Sequence, residues 1–233
     1  IFSNYEELKS LSRDNNAPFL YETNVGAALP VISTLNNLIN SGDKIIKIEA
    51  VLSGTLNYIF NNFQENDTFH EIVSKAVDLG YTEPDPKIDL CGVDVSRKIL
   101  ILARESGYKL EFDDISKNHF LPNESINAQS KQDFLLSLKK NKEHFNTILN
   151  NAKMKDSRLK FVAKLDNGKA SVGLEAVKND HPFYNLVGSD NITVFYTERY
   201  KDSPLVVKGA GAGGEFTASG VFADIIKASQ ENG

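Results

Sequence analysis

Apolar residues recur at the helical period through most of the first 154 positions, and strand-like runs dominate afterwards. SNYEELKSLSRDN predicts a capped amphipathic helix over 4–15, and APFLYE a short strand over 17–22. A Gly/Ala-rich turn then runs into a helix within 25–43, with Pro30 tolerated in its first turn. KIIKIEAVLS alternates as a strand over 44–53. Helices are expected over 54–66 and over 68–80, the second capped by Thr68 and stopped by Gly80. An extended loop leads to a helix from about 91 to 106, and 107–130 reads as polar and irregular.

Apolar positions at Phe134, Leu135, Leu138, Phe145 and Ile148 predict one helix across 131–154. RLKFVAKL, KASVGLEAV, NITVFYTE and PLVVKGA follow as strands, and a glycine loop opens a closing helix. Strands interleaved with helices make the chain α/β or α+β, one mixed sheet covered by helices on one face. The other face, rich in Val, Ile and Phe, is expected to be bare and to seek a second copy, making a homodimer.

Composition narrows the partners. The 233 residues carry a net charge of −5 with 24% charged residues, and no basic run offers the clustered cations that nucleic acid or an anionic membrane requires. No apolar run approaches the roughly 18 residues of a membrane span. Cys91 is the single cysteine, so an internal disulfide and a cysteine zinc site are excluded, and a reducing cytoplasm is expected. His70, His119, His144 and His181 are scattered without metal-ligand spacing.

Chemistry concentrates in GYTEPDPKIDLCGVDVSRKIL, residues 80–100. On a helix, Asp94 and Lys98 stand about 40° apart on one face. They read either as an i,i+4 ion pair or as a lysine kept beside a carboxylate in a cleft, able to bind a carboxylate or donate a proton. Pro84 and Pro86 stiffen the loop, so Glu83 and Asp85 are either solvated acids on a rigid connector or side chains aimed at a ligand.

That stretch closely resembles the signature of the homoserine dehydrogenases. FLYETNVGAALPVISTL, SGTLNYIFN and GAGAGGEFTASGVFADIIK resemble the same family, in order and over nearly the whole chain. The run from NDHPFYNL to VVKGAGAG is most similar to the form fused behind an aspartokinase. The resemblance implies NAD(P)H-dependent reduction of L-aspartate 4-semialdehyde to L-homoserine, a step towards threonine and methionine. It places Glu83 on the substrate amino group, and Asp94 and Lys98 on its polar end and reacting oxygen, with Lys98 as proton donor. Gly54 and Thr55 would line the cleft, and Gly213 would touch the cofactor, NADP or NAD. Glu22 and the carbonyls of Val25, Ala27 and Leu29 would hold a sodium ion.

The glycine loop near the C-terminus lies too late in the chain to begin a dinucleotide fold, and a tight turn before a packing helix would look similar. The resemblance implies a Rossmann-type nucleotide domain of which residues 1–27 and 213–233 are remnants, with 28–212 as the substrate-binding and dimerisation domain. Lys87 and Ile88 stand where that family commonly has Arg and Asp, and Cys91 where it has serine. Two other classes stay open: an amino-acid-binding regulatory or dimerisation module without hydride chemistry, and a semialdehyde dehydrogenase with a cysteine nucleophile, for which Cys91 at a greasy helix start is ill placed. With the nucleotide domain expected upstream, the 233-residue chain alone should show negligible homoserine-dependent reduction of NADP, read as absorbance at the nicotinamide band.

Overall fold

The computed structural model describes residues 3–231; the outermost two positions of each expected terminal segment, 1–27 and 213–233, lie outside the described residues. Helix α1 (Tyr5–Asp14) opens the chain, followed by the short α2 (Thr23–Gly26) and by α3 (Val31–Asn40). Strand β1 (Ile45–Val51) leads into α4 (Gly54–Asn62), α5 (Phe69–Asp78), α6 (Pro86–Leu90) and α7 (Val93–Glu105). Strand β2 (Ser116–Asn118) and helices α8 (Asn123–Ile126), α9 (Lys131–Lys140) and α10 (Lys142–Lys153) come next. Strands β3 (Ser157–Asp166), β4 (Lys169–Lys178), β5 (Asn191–Thr197) and β6 (Leu205–Gly209) precede the closing helix α11 (Gly214–Glu231).

The strands form one sheet in the order β2-β4-β3-β1-β5-β6, parallel at β2–β4 and antiparallel elsewhere. The sheet is mixed, as expected. Asn167 and Gly168, both at positive φ, make the two-residue β3–β4 turn. Alternation sends Ile48, Ala50, Leu159, Phe161, Ala163, Val172 and Phe195 into the principal core under the helices. Phe60, Phe69, Phe120 and Phe145 meet in that core in stacked and edge-on pairs.

Four expectations need correction. Residues 17–21 form no strand, because none of the described strands lies beside them to complete a ladder; Tyr21 instead gives its hydroxyl to Glu105, which Tyr5 also donates to. The loop before α7 is shorter than expected, since Pro86 starts α6 and Asp85 caps it by accepting from the Lys87 N–H at 3.0 Å. The single helix over 131–154 breaks at Asn141, whose side-chain amide donates to the Ser137 carbonyl at 2.8 Å.

The far face of the sheet is not a bare apolar surface. Phe183 and Leu186, on the segment between β4 and β5, bury Val51, Val162, Ile192 and Val194 there. Beside them Glu49 is ringed by Lys47 at 3.0 Å, Lys164 at 3.3 Å and His181 at 3.4 Å. Burial opposes ionisation of Glu49, but hydrogen bonds from His181 and Lys47 and the charges of Lys47 and Lys164 outweigh it and bring its pKa to about 2.

Helix α7 carries Asp94, Arg97 and Lys98 on a largely apolar sequence. It lies between the strands β3 and β4 on one side and α3 on the other, so Ile99 to Ala103 are all buried. Its first turn approaches the sheet where Gly92, at φ +69°, faces the Phe161 ring. A Cβ there would lie 2.5 Å from that ring and in a left-handed conformation. Gly92→Ala is expected to destabilise the chain by about 2–4 kcal/mol, checked by the shift in denaturant midpoint at unchanged m.

Candidate functional site

Three turns and one helix end converge beside the C-terminal end of β1. After Leu52, Ser53 caps α4 by accepting from the Leu56 N–H at 3.2 Å. Gly54 follows against the segment before β5, where a Cβ would stand 2.9 Å from the Ser189 carbonyl oxygen. Thr55 donates to the Tyr81 carbonyl at 2.5 Å, and the Tyr81 ring stacks on Tyr58 with centroids 4.3 Å apart. These contacts hold the turn after α5 against α4 and set the start of the proline loop. Glu83 is positioned next: its N–H donates to the Asp89 carboxylate at 2.9 Å.

Helix α7 supplies the remaining charges. The Lys98 ammonium lies 2.7 Å from Asp94 and donates to the Leu52 carbonyl at 2.9 Å. Its side chain is 16% exposed against 59% for Asp94. Lys98 is therefore held from below by backbone and from the side by a carboxylate, with its ammonium presented to the cleft. The two readings of the pair are compatible: it is an i,i+4 ion pair, and it stands in a recess.

Glu83, Asp94, Lys98, Gly54, Thr55 and Gly213 all line one cleft of about 450 Å³. Three carboxylates, Glu83, Asp89 and Asp94, face a single cation there. Burial raises the pKa of Asp89 from its ordinary value against the hydrogen bond from the Glu83 N–H, and the negative charges of Glu83 and Asp94 push it up as well. Such a site favours a ligand with one ammonium and one polarised or anionic oxygen. Glycines at 211 and 213 let the backbone form the opposite wall, Gly213 at φ +118°. A recess of about 680 Å³ lies on the other side of Tyr58 and Tyr81, but it lacks the convergent carboxylates.

Asp89, Tyr81 and Ser189 were not singled out as cleft residues from sequence. Asp89 lay within the motif already noted, whereas Ser189 sits in a polar loop with no local signal. Glu22, Val25, Ala27 and Leu29 do not join the cleft and form a separate turn ahead of α3. The Glu22 carboxylate accepts from the N–H groups of Ile32 and Ser33 at 2.7 and 2.8 Å, capping α3. Ala27 takes φ +53°, and its carbonyl lies under Gly220 of α11, 3.0 Å from where a Cβ would be. Among the described residues no cluster of three or more His, Cys, Asp or Glu side chains could hold a metal ion; the turn offers backbone carbonyls instead. No helix among them is long and apolar enough to cross a membrane.

Residues 30–226 match the family model described as homoserine dehydrogenase. The chain is 47% identical over 227 residues to bifunctional aspartokinase/homoserine dehydrogenase 1, chloroplastic, of Zea mays, covering 97% of this chain and 25% of that protein. It is 41% identical to the bifunctional aspartokinase/homoserine dehydrogenase of Haemophilus influenzae, covering 97% of this chain and 28% of that protein. With the homoserine dehydrogenase of Schizosaccharomyces pombe it shares 42% identity, over 96% of this chain and 61% of that one. The fold is similar to a hyperthermophilic archaeal homoserine dehydrogenase in complex with NADPH, with a TM-score of 0.74 at 28% identity, over 98% of this chain and 60% of that one. The chain thus spans about a quarter of the bifunctional relatives and about three fifths of the fission-yeast protein.

Cys91 fits a structural role. It is half-buried at the end of α6, and burial pushes its thiol up, although the Lys87 charge works the other way. It does not line the cleft. Alkylation of Cys91 by iodoacetamide at neutral pH is expected to run at least about tenfold slower than that of a free cysteine, followed by intact mass.

Proposed function

This chain belongs to the homoserine dehydrogenase family, and from that premise we propose that it is the substrate-binding and dimerisation part of an enzyme reducing L-aspartate 4-semialdehyde to L-homoserine. The observation that carries the reading is the convergence of Glu83, Asp94 and Lys98 on one cleft walled by Gly54 and Gly213. The substrate is a small zwitterion with an aldehyde, and the cleft offers carboxylates for its ammonium and a held ammonium for its carbonyl oxygen.

Glu83 binds the substrate ammonium, with its backbone anchored on Asp89. Lys98 polarises the aldehyde oxygen and passes it a proton as the alkoxide forms, the step at which an oriented cation contributes most. Asp94 orients Lys98 through their 2.7 Å ion pair. A bound NADPH or NADH would supply the hydride and leave as NADP or NAD. Gly211 and Gly213 suit it, because side chains there would narrow the cleft or clash: a Cβ on Gly211 would sit 1.9 Å from Asn191.

A sodium ion fits the turn ahead of α3. Its ligands would be the carbonyls of Val25, Ala27 and Leu29, with the Glu22 carboxylate near them, an all-oxygen set suited to a hard cation. The terminal segments 1–27 and 213–233 belong on this reading to a Rossmann-type nucleotide domain. The exposed Phe216, Val221, Phe222, Ile225 and Ile226 of α11 support it, since such an apolar stripe suits a packed neighbour. The bifunctional relatives support an aspartokinase fused in front. Homodimerisation through the exposed part of the sheet's far face, and a cytoplasmic location, complete the proposal.

In the full natural chain, NADPH oxidation with aspartate semialdehyde should fall at least about a hundredfold in Lys98→Ala. Glu83→Ala should raise KM about tenfold or more. A full chain inert with either cofactor would remove the dehydrogenase reading and favour an amino-acid-binding module.

A further inference from the structure

Lys160 is fully buried on β3, on no surface of the cleft, and the chemistry above does not use it. Its ammonium donates to Asn57 Oδ1 at 3.0 Å, to Asn61 Oδ1 at 2.6 Å and to the Leu186 carbonyl at 2.5 Å. All three partners are neutral oxygens. Burying a charge on such partners is costly; burial, then the charges of Arg158 and Lys208, bring its pKa down to about 8. A methionine would fill the same space without that cost, so the ammonium has to be explained by what it directs.

An ammonium can only donate, so both asparagines must turn their oxygens towards it. Their amide N–H groups then have one direction left. Asn57 Nδ2 donates to the carbonyls of Gly188 and Asp190, both at 3.1 Å, and Asn61 Nδ2 to that of Gly188 at 3.1 Å. Together with the bond to Leu186, this fastens the 186–190 loop at three carbonyls. Between the fastened points stands Ser189, which lines the cleft and whose carbonyl packs against Gly54.

We infer that Lys160 is a positioning residue for the cleft: by setting the Asn57 and Asn61 amides it fastens the 186–190 loop so that Ser189 closes the wall beside Gly54. For its effect on turnover this rests on the reading of the cleft as a substrate site, whereas the fastening of the loop stands independently of it. The role differs from general stabilisation in being local and directional. It acts on one loop through two amides.

Two readouts on the full natural chain test it. Lys160→Met is expected to speed backbone hydrogen exchange at 187–190 at least about tenfold, with α7, β3 and β4 unchanged. It should also raise KM for aspartate semialdehyde about tenfold while kcat stays within about threefold. Adding Asn57→Leu to Lys160→Met should cost no more than the worse single change, since both act through one network. Asn61→Leu keeps Lys160 at a less buried position and should speed the same loop even where Lys160→Met fails to fold. Unchanged exchange at 187–190 in either folded variant, or an equal rise across β3 and β4, overturns the inference. A chain without dehydrogenase turnover defeats the proposed function, and the exchange result then decides the clamp alone.

Discussion

The close seating of α7 on the sheet is the constraint on which the rest depends. Gly92 in a left-handed conformation lets the helix begin directly over the Phe161 ring. From there Val95, Ile99 and Leu102 enter the core, and the turn that carries Lys98 is brought level with the end of β1. Lys98 can reach the Leu52 carbonyl only because helix and strand are this near. A bulkier first turn would lift the ammonium away from its backbone acceptor and change the one cation the cleft has.

Electrostatics then divides the molecule by face. On the helix side the half-buried Asp89 has its pKa raised by burial and by neighbouring acids, in the same cleft as a cation with a carboxylate partner. On the far side Glu49 is strongly ionised because two lysines and a histidine surround it. The first arrangement leaves charge available for a ligand, whereas the second satisfies it within the protein. A third device, Lys160 with two asparagines, uses charge only to orient neutral groups.

The elements that were legible were those whose evidence is local. Helical periodicity located α3, α5 and α7, and alternation located β1, β3, β4 and β5 close to their observed bounds. The errors have a common cause. APFLYE has strand-like residues but no partner strand among the described ones, and a strand without a ladder is only extended chain. The break at Asn141 turns on one side-chain hydrogen bond within a run whose apolar spacing stays helical on both sides. The three-residue β2 is too short to show a period.

By itself the sequence determined the main helices and strands and the family signature, because these are set by residue type and short-range spacing. Through the resemblance it carries, that signature supplied the candidates Glu83, Asp94, Lys98, Gly54, Thr55 and Gly213. Only the tertiary structure decided that those six share a cleft, that Asp89 and Ser189 join them, and that the apolar far face is covered by Phe183 and Leu186. Each of those outcomes depends on segments distant in sequence meeting in space; Lys160 and Asn57 stand 103 positions apart yet form one hydrogen bond. Periodicity reports only the neighbours within a turn or along a strand, so a wall made by a loop and held by a buried ammonium leaves no mark in it.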